Sequence, residues 1–85
     1  MFAIAFDMEI AAIRKNYMKH PSGAYAEIER TLGRFRFERI QESIYAANTD
    51  DMSNLFSAIA ALKELKWFGP SVKNLRAFRM ENGSD

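Results

Sequence analysis

The sequence contains no cysteine, which excludes a disulfide framework and a thiolate metal site. Its single histidine leaves no histidine cluster to bind zinc, and no serine-histidine-aspartate order can be traced. Four scattered glycines form neither a Walker loop nor a dinucleotide-binding fingerprint. No apolar run approaches the roughly 20 residues that cross a bilayer. The apolar start is broken by Asp7 and lacks the basic head and cleavage site of a secretory signal, so a cytoplasmic protein with no membrane partner is expected. Neither charge sign dominates: twelve basic and eleven acidic residues give a net charge of +1. That balance shows no strong commitment to nucleic acid or membrane and leaves only local patches.

What is present is apolar and short. At 85 residues, 48% hydrophobic and 13% aromatic, the chain is expected to fold as one domain over residues 1–85. A chain of this size buries a modest core, and a second copy is the simplest source of further buried area.

Phe2-Ala3-Ile4-Ala5-Phe6 alternates large and small side chains, as a strand does. Ile10, Ile13 and Tyr17 have helical spacing until Lys19-His20-Pro21 breaks it. A helix is expected from Ser22 as N-cap, with Tyr25, Ile28 and Leu32 buried and Gly33 as its stop. Phe35 to Ile40 reads as a second strand, Gln41-Glu42 as a tight turn and Ser43 to Ala47 as a third. Asn48 to Asp51 is a loop that starts a helix, with acidic residues at the positive end of its dipole. Met52, Leu55, Phe56, Ile59 and Leu62 form an expected core stripe. Trp67-Phe68-Gly69-Pro70 punctuates, residues 72–80 form the last strand, and Glu81 to Asp85 are a polar tail. The order predicts an α+β, ferredoxin-like βαββαβ domain: a four-stranded antiparallel sheet with two helices on one face.

Strand parity then sorts the residues. With Phe2, Ile4 and Phe6 under the helices, Ala3, Ala5 and Asp7 face away. Placing Ile44 inside puts Ser43 and Tyr45 on the open face, and Leu75 and Ala77 inside put Asn74, Arg76 and Phe78 there. Such a mixture suits a binding face, for a ligand or a second sheet. Asp7 has two readings: a cap for backbone N–H groups after the strand, or a carboxylate acting as general base or metal ligand. Arg34, Arg36, Arg39, Lys73, Arg76 and Arg79 form a solvated surface from which a subset can grip phosphates. His20 reads as an incidental loop residue.

Several blocks together resemble the virulence-associated protein D (VapD) family. They are Met1-Phe-Ala-Ile-Ala-Phe-Asp7, Ala24-Tyr25-Ala26, Phe37-x-Arg39-Ile40-Gln41-x-Ser43-Ile44-Tyr45, Asp51 to Ile59, Trp67-Phe68 and Ser71 to Arg79. The resemblance spans nearly the whole chain. It implies a ferredoxin-like homodimer with endoribonuclease activity, in some bacteria the toxin of a toxin–antitoxin pair, and a fold related to small CRISPR-associated nucleases. By the same resemblance Asp7 and Ser43 are expected to be catalytic and Ile13 to be tied to activity. The chain departs from the family at Glu42, where many members have Gly, and at Asn74, where many have Asp.

The expected mechanism is RNA cleavage at a dimer-linked cleft, with the two Asp7 carboxylates sharing a proton or a divalent cation such as magnesium. Tyr45, Arg39, Arg76, Asn74 and Ile13 are the expected substrate contacts beside Ser43. The alternative is a non-catalytic dimeric module that binds RNA or a protein through the same face. An antitoxin protein is the further partner expected.

Overall fold

Alternation along the first strand sets the layers, and residues 1–81 of the computed structural model are described. Strand β1 (Phe2–Met8) leads to helices α1 (Ile10–Tyr17) and α2 (Pro21–Gly33). The hairpin β2 (Glu38–Gln41) and β3 (Ile44–Ala47) follows, then α3 (Met52–Glu64), a single turn α4 (Phe68–Ser71) and β4 (Val72–Arg79). The sheet order is β2-β3-β1-β4 with every pair antiparallel. This is the expected ferredoxin-like arrangement, with each crossover carrying a second, shorter helix beside the main one.

Phe2, Ile4 and Phe6 meet Ile13, Ala24, Ile28, Leu32, Leu55, Ala58, Leu62 and Phe68 in one core. Phe6 stacks on Tyr45 at 5.8 Å between centroids and meets Phe68 edge-on at 5.6 Å. Trp67 donates its indole N–H to Glu27 Oε1 at 2.7 Å, which ties the end of the second crossover to α2. Gly23 allows α2 to lie close against α1, since a Cβ there would stand 2.8 Å from the Tyr17 hydroxyl.

Several local expectations are corrected. Pro21 is the first residue of α2, where its missing N–H costs nothing, and His20 rather than Ser22 is the N-cap. Unprotonated His20 Nδ1 accepts the Ser22 backbone N–H at 3.2 Å, so this histidine has a structural task. Gly33 ends α2 without positive φ; the left-handed turn falls instead at Arg36, with φ 68°. That turn delays β2 to Glu38, and the hairpin turn shifts to Glu42-Ser43.

The stripe assigned to α3 holds only in part, with Ile59 partly buried against the core. Leu55, Ala58, Ala61 and Leu62 are buried, whereas Met52 is 46% and Phe56 62% exposed. Asp51 caps this helix, accepting the Ser53 backbone N–H at 3.0 Å and its hydroxyl at 2.7 Å. No helix among the described residues is long and apolar enough to cross a membrane. The expected polar tail lies, apart from its exposed first residue Glu81, outside the described residues.

Candidate active site at the end of the first strand

Register decides which expected site residues meet. Ala3 pairs with Ala46 and Ala5 with Ile44 across β1 and β3, while Ile4 pairs with Tyr45. Directly opposed residues share a face, so Ile44 lies on the open face and Tyr45 under the helices. This reverses the parity expected for β3. Tyr45 is buried in the core against Phe6, and burial pushes its phenol above the usual tyrosine range, with the Arg39 charge acting the other way. A side chain packed there cannot line the open face. Ile13 is fully buried in the same core and supports the fold rather than touching a substrate. Arg39 pairs with Tyr45 and so also leaves the open face.

Asp7 stands where β1 parity put it, exposed at the end of an otherwise buried strand. Its carboxylate receives no hydrogen bond and makes no ion pair among the described residues. The capping reading is thereby excluded, and the carboxylate is free to accept a proton or a ligand.

Ser43 reaches the same end of the sheet through its backbone: its carbonyl accepts the Phe6 N–H at 3.2 Å, one residue from Asp7. On the other side, Arg76 pairs with Ala5 and is exposed on the open face. Between this pair and the next, Asp7 with Lys73, β1 advances two residues and β4 three. The extra residue is accommodated around Asn74, whose φ of 55° lies in the left-handed region that Asn and Asp tolerate best. Asn74 therefore serves as a bulge residue, and Lys73 takes the place opposite Asp7 that uninterrupted pairing would give Asn74.

Glu9 completes the group. Its backbone is extended, with φ −97° and ψ 120°, so it follows Asp7 onto the same side of the chain. Its carboxylate holds Lys73 Nζ at 2.8 Å. Sequence reasoning left Glu9 out; its i+2 spacing from Asp7 was the available signal. No three of the metal-binding residue types converge among the described residues, and Glu9 is engaged by Lys73.

Asp7 lines none of the three cavities of about 300, 390 and 590 Å³. The first-strand carboxylate is exposed at this end of the sheet's open surface. That surface is apolar at its centre: Ala3, Ala5 and Ala46 are buried between neighbouring side chains, and Phe78 is 38% exposed.

No protein-family model matches the chain. Curated relatives do, along its full length. It is 52% identical over 85 residues to the endoribonuclease VapD homolog of Neisseria gonorrhoeae, covering 100% of this chain and 92% of that protein. It is 42% identical to endoribonuclease VapD of Dichelobacter nodosus, covering 100% of this chain and 91% of that one. With endoribonuclease VapD of Haemophilus influenzae the identity is 43% over 88 residues, covering 100% and 92% of the two chains. Identity of this degree over whole chains of matching length is shared ancestry: the protein belongs to the VapD family of endoribonucleases.

Proposed function

We propose that this endoribonuclease cleaves RNA at the open-face end of β1, with Asp7 as the general base. The observation that carries the reading is an exposed carboxylate with no partner, held on a central strand whose other residues are packed on both faces. A base on such an element keeps its position while the substrate moves to it. Asp7 takes the proton from the attacking hydroxyl as its oxygen bonds to phosphorus. The opposite P–O bond breaks, and the departing oxygen takes a proton from water. Ser43 borders the scissile phosphate, and Arg76 offsets the charge that develops on it. A 2′,3′-cyclic phosphate product identifies the RNA 2′-hydroxyl as nucleophile, and a 5′-phosphate identifies water.

The proposal includes a homodimer joined through the open sheet face. Ala3, Ala5 and Ala46 permit close approach of a second sheet, and Phe78 and Ile44 supply apolar area. Face-to-face packing brings the Asp7 ends of two chains to one cleft, and a divalent cation, where used, would need Asp7 from both. The cellular role in this reading is that of a toxin restrained by a protein antitoxin. Growth arrest by the wild type, but not by Asp7→Asn, is its test.

Cleavage of a defined RNA by wild type and Asp7→Asn, with and without chelator, tests the central assignment. Loss of a general base lowers the rate by about 10² to 10⁴. Equal rates in a folded Asp7→Asn protein refute the assignment. RNA binding without cleavage by the wild type favours the binding-module alternative, for which the apolar open face is the supporting observation.

A further inference from the structure

We propose that Lys73 is the phosphate anchor beside Asp7, and that Glu9 holds it in the free protein and releases it when RNA binds. The inference rests on the reading of Asp7 given above. Its basis is the β4 bulge. Arg76 pairs with Ala5 and, after one extra residue around Asn74, Lys73 pairs with Asp7. With uninterrupted pairing, Asn74 would oppose Asp7 and Lys73 would oppose Met8, which packs against the core. The bulge places Lys73 opposite Asp7 in the ladder instead. Directly opposed Cβ atoms in an antiparallel pair lie about 4.5–5.5 Å apart.

Lys73 bonds to Glu9 at 2.8 Å rather than to Asp7, and both partners are more than half exposed, at 59% and 53%. An exposed pair of this kind is held weakly and exchanges partners readily. An RNA phosphate is a stronger competitor for the ammonium, because binding it also releases condensed counterions. Glu9 is the N-cap residue of α1, yet its side chain makes no cap hydrogen bond. Its carboxylate is committed to Lys73. In the free protein this keeps the lysine from pairing with Asp7, which must stay available to take a proton. On binding, Lys73 and Arg76 present two cations along one strand beside the base, and the phosphate between them is held next to Asp7. Glu9 is a positioning residue in this scheme, and Lys73 a substrate-binding one.

The test uses a fluorescein-labelled single-stranded RNA of defined sequence, titrated into Asp7→Asn protein carrying in turn Lys73→Gln, Lys73→Arg or Glu9→Gln. Thermal unfolding confirms that each variant is folded. Lys73→Gln is expected to weaken binding roughly five-fold and to lower the slope of log K against log salt by about one. Lys73→Arg keeps both. Glu9→Gln tightens binding in this Asp7→Asn background, where the lysine has no second carboxylate to turn to. Wild-type affinity and slope in Lys73→Gln overturn the anchor, even where Asp7→Asn has abolished cleavage. Unchanged affinity in Glu9→Gln overturns the release from Glu9. Undiminished cleavage by Asp7→Asn refutes the parent reading instead, and the anchor with it.

Discussion

The two faces of the sheet come from the same four strands and could hardly be more different. Under the helices, Phe2, Ile4, Phe6 and Tyr45 interlock with side chains from all four helical segments. On the open face, Ala3, Ala5 and Ala46 make a low floor between Phe78, Ile44 and Arg76. The covered face is filled within one chain, so its residues answer to packing. The open face is apolar but unfilled, and Asp7 closes its edge. Residues that a family likeness ties to activity therefore divide into two kinds. Asp7 lies at the surface, whereas Ile13 is fully buried in the core between α1 and the sheet.

That division can be broken by experiment. The largest effect is expected at Tyr45: truncation to Ala removes a core aromatic and costs about 3–5 kcal/mol in denaturant unfolding. Tyr45→Phe, by contrast, keeps both fold and RNA cleavage, because the ring packs and the hydroxyl contacts no substrate. A large loss of cleavage by stably folded Tyr45→Phe returns this residue to the active site.

Ile13 comes next. Ile13→Ala is expected to cost about 2–5 kcal/mol and Ile13→Val about 0.5–1.5 kcal/mol. Cleavage measured well below each melting temperature should follow the folded fraction. An inactive Ile13→Val protein that melts like wild type gives this residue a direct role.

On the open face, Phe78→Glu should leave the melting of the isolated chain within about 0.5 kcal/mol while shifting the proposed homodimer to monomer in sedimentation. Persistence of the dimer moves the interface elsewhere, and the exposed Met52 and Phe56 of α3 are then the next surface to alter.

The smallest effects are in the pH dependence of stability. The Ser53 hydroxyl and backbone N–H hold Asp51 below the usual carboxylate range. A lowered value contributes stability above the ordinary aspartate pKa of about 4, lost as pH falls through the folded value. Asp51→Asn should flatten that acid limb in helix-monitored unfolding. Tyr45 works at the other end. Burial raises it, so its contribution is full below about pH 10 and is lost as pH rises through the folded value. Tyr45→Phe should flatten the alkaline limb, provided the ring is where the core places it.

The helical segments show where a period suffices and where it fails. Asp51 announced α3, yet residues 52–62 carry no charge at all, so nothing in the pattern told which arc faced the sheet. Of the expected Met52, Leu55, Phe56, Ile59 and Leu62, packing against α2 and the sheet took Leu55, Ile59 and Leu62 and left Met52 and Phe56 exposed. His20 reads as an incidental loop residue in the sequence because a histidine cap has no common signature there. It became visible only once Nδ1 was seen to accept the Ser22 N–H.

The site was legible on β1 and obscure on its neighbours for a related reason. In Phe2-Ala-Ile-Ala-Phe-Asp7 large and small alternate cleanly, so the face of Asp7 follows from the chain alone. In Ile44-Tyr45-Ala46-Ala47 both parities are apolar, and the choice between them lies with hydrogen-bonded register to β1.

The sequence by itself determined the element order, the ferredoxin-like architecture and the exposure of Asp7, because each rests on local period or punctuation. Tertiary structure decided what stands around Asp7. Pairing with β1 turned Tyr45 inward, and one extra residue in β4 brought Lys73, not Asn74, opposite the carboxylate. A bulge moves every later side chain to the other face, and its position is settled by the partner strand rather than by the strand that carries it.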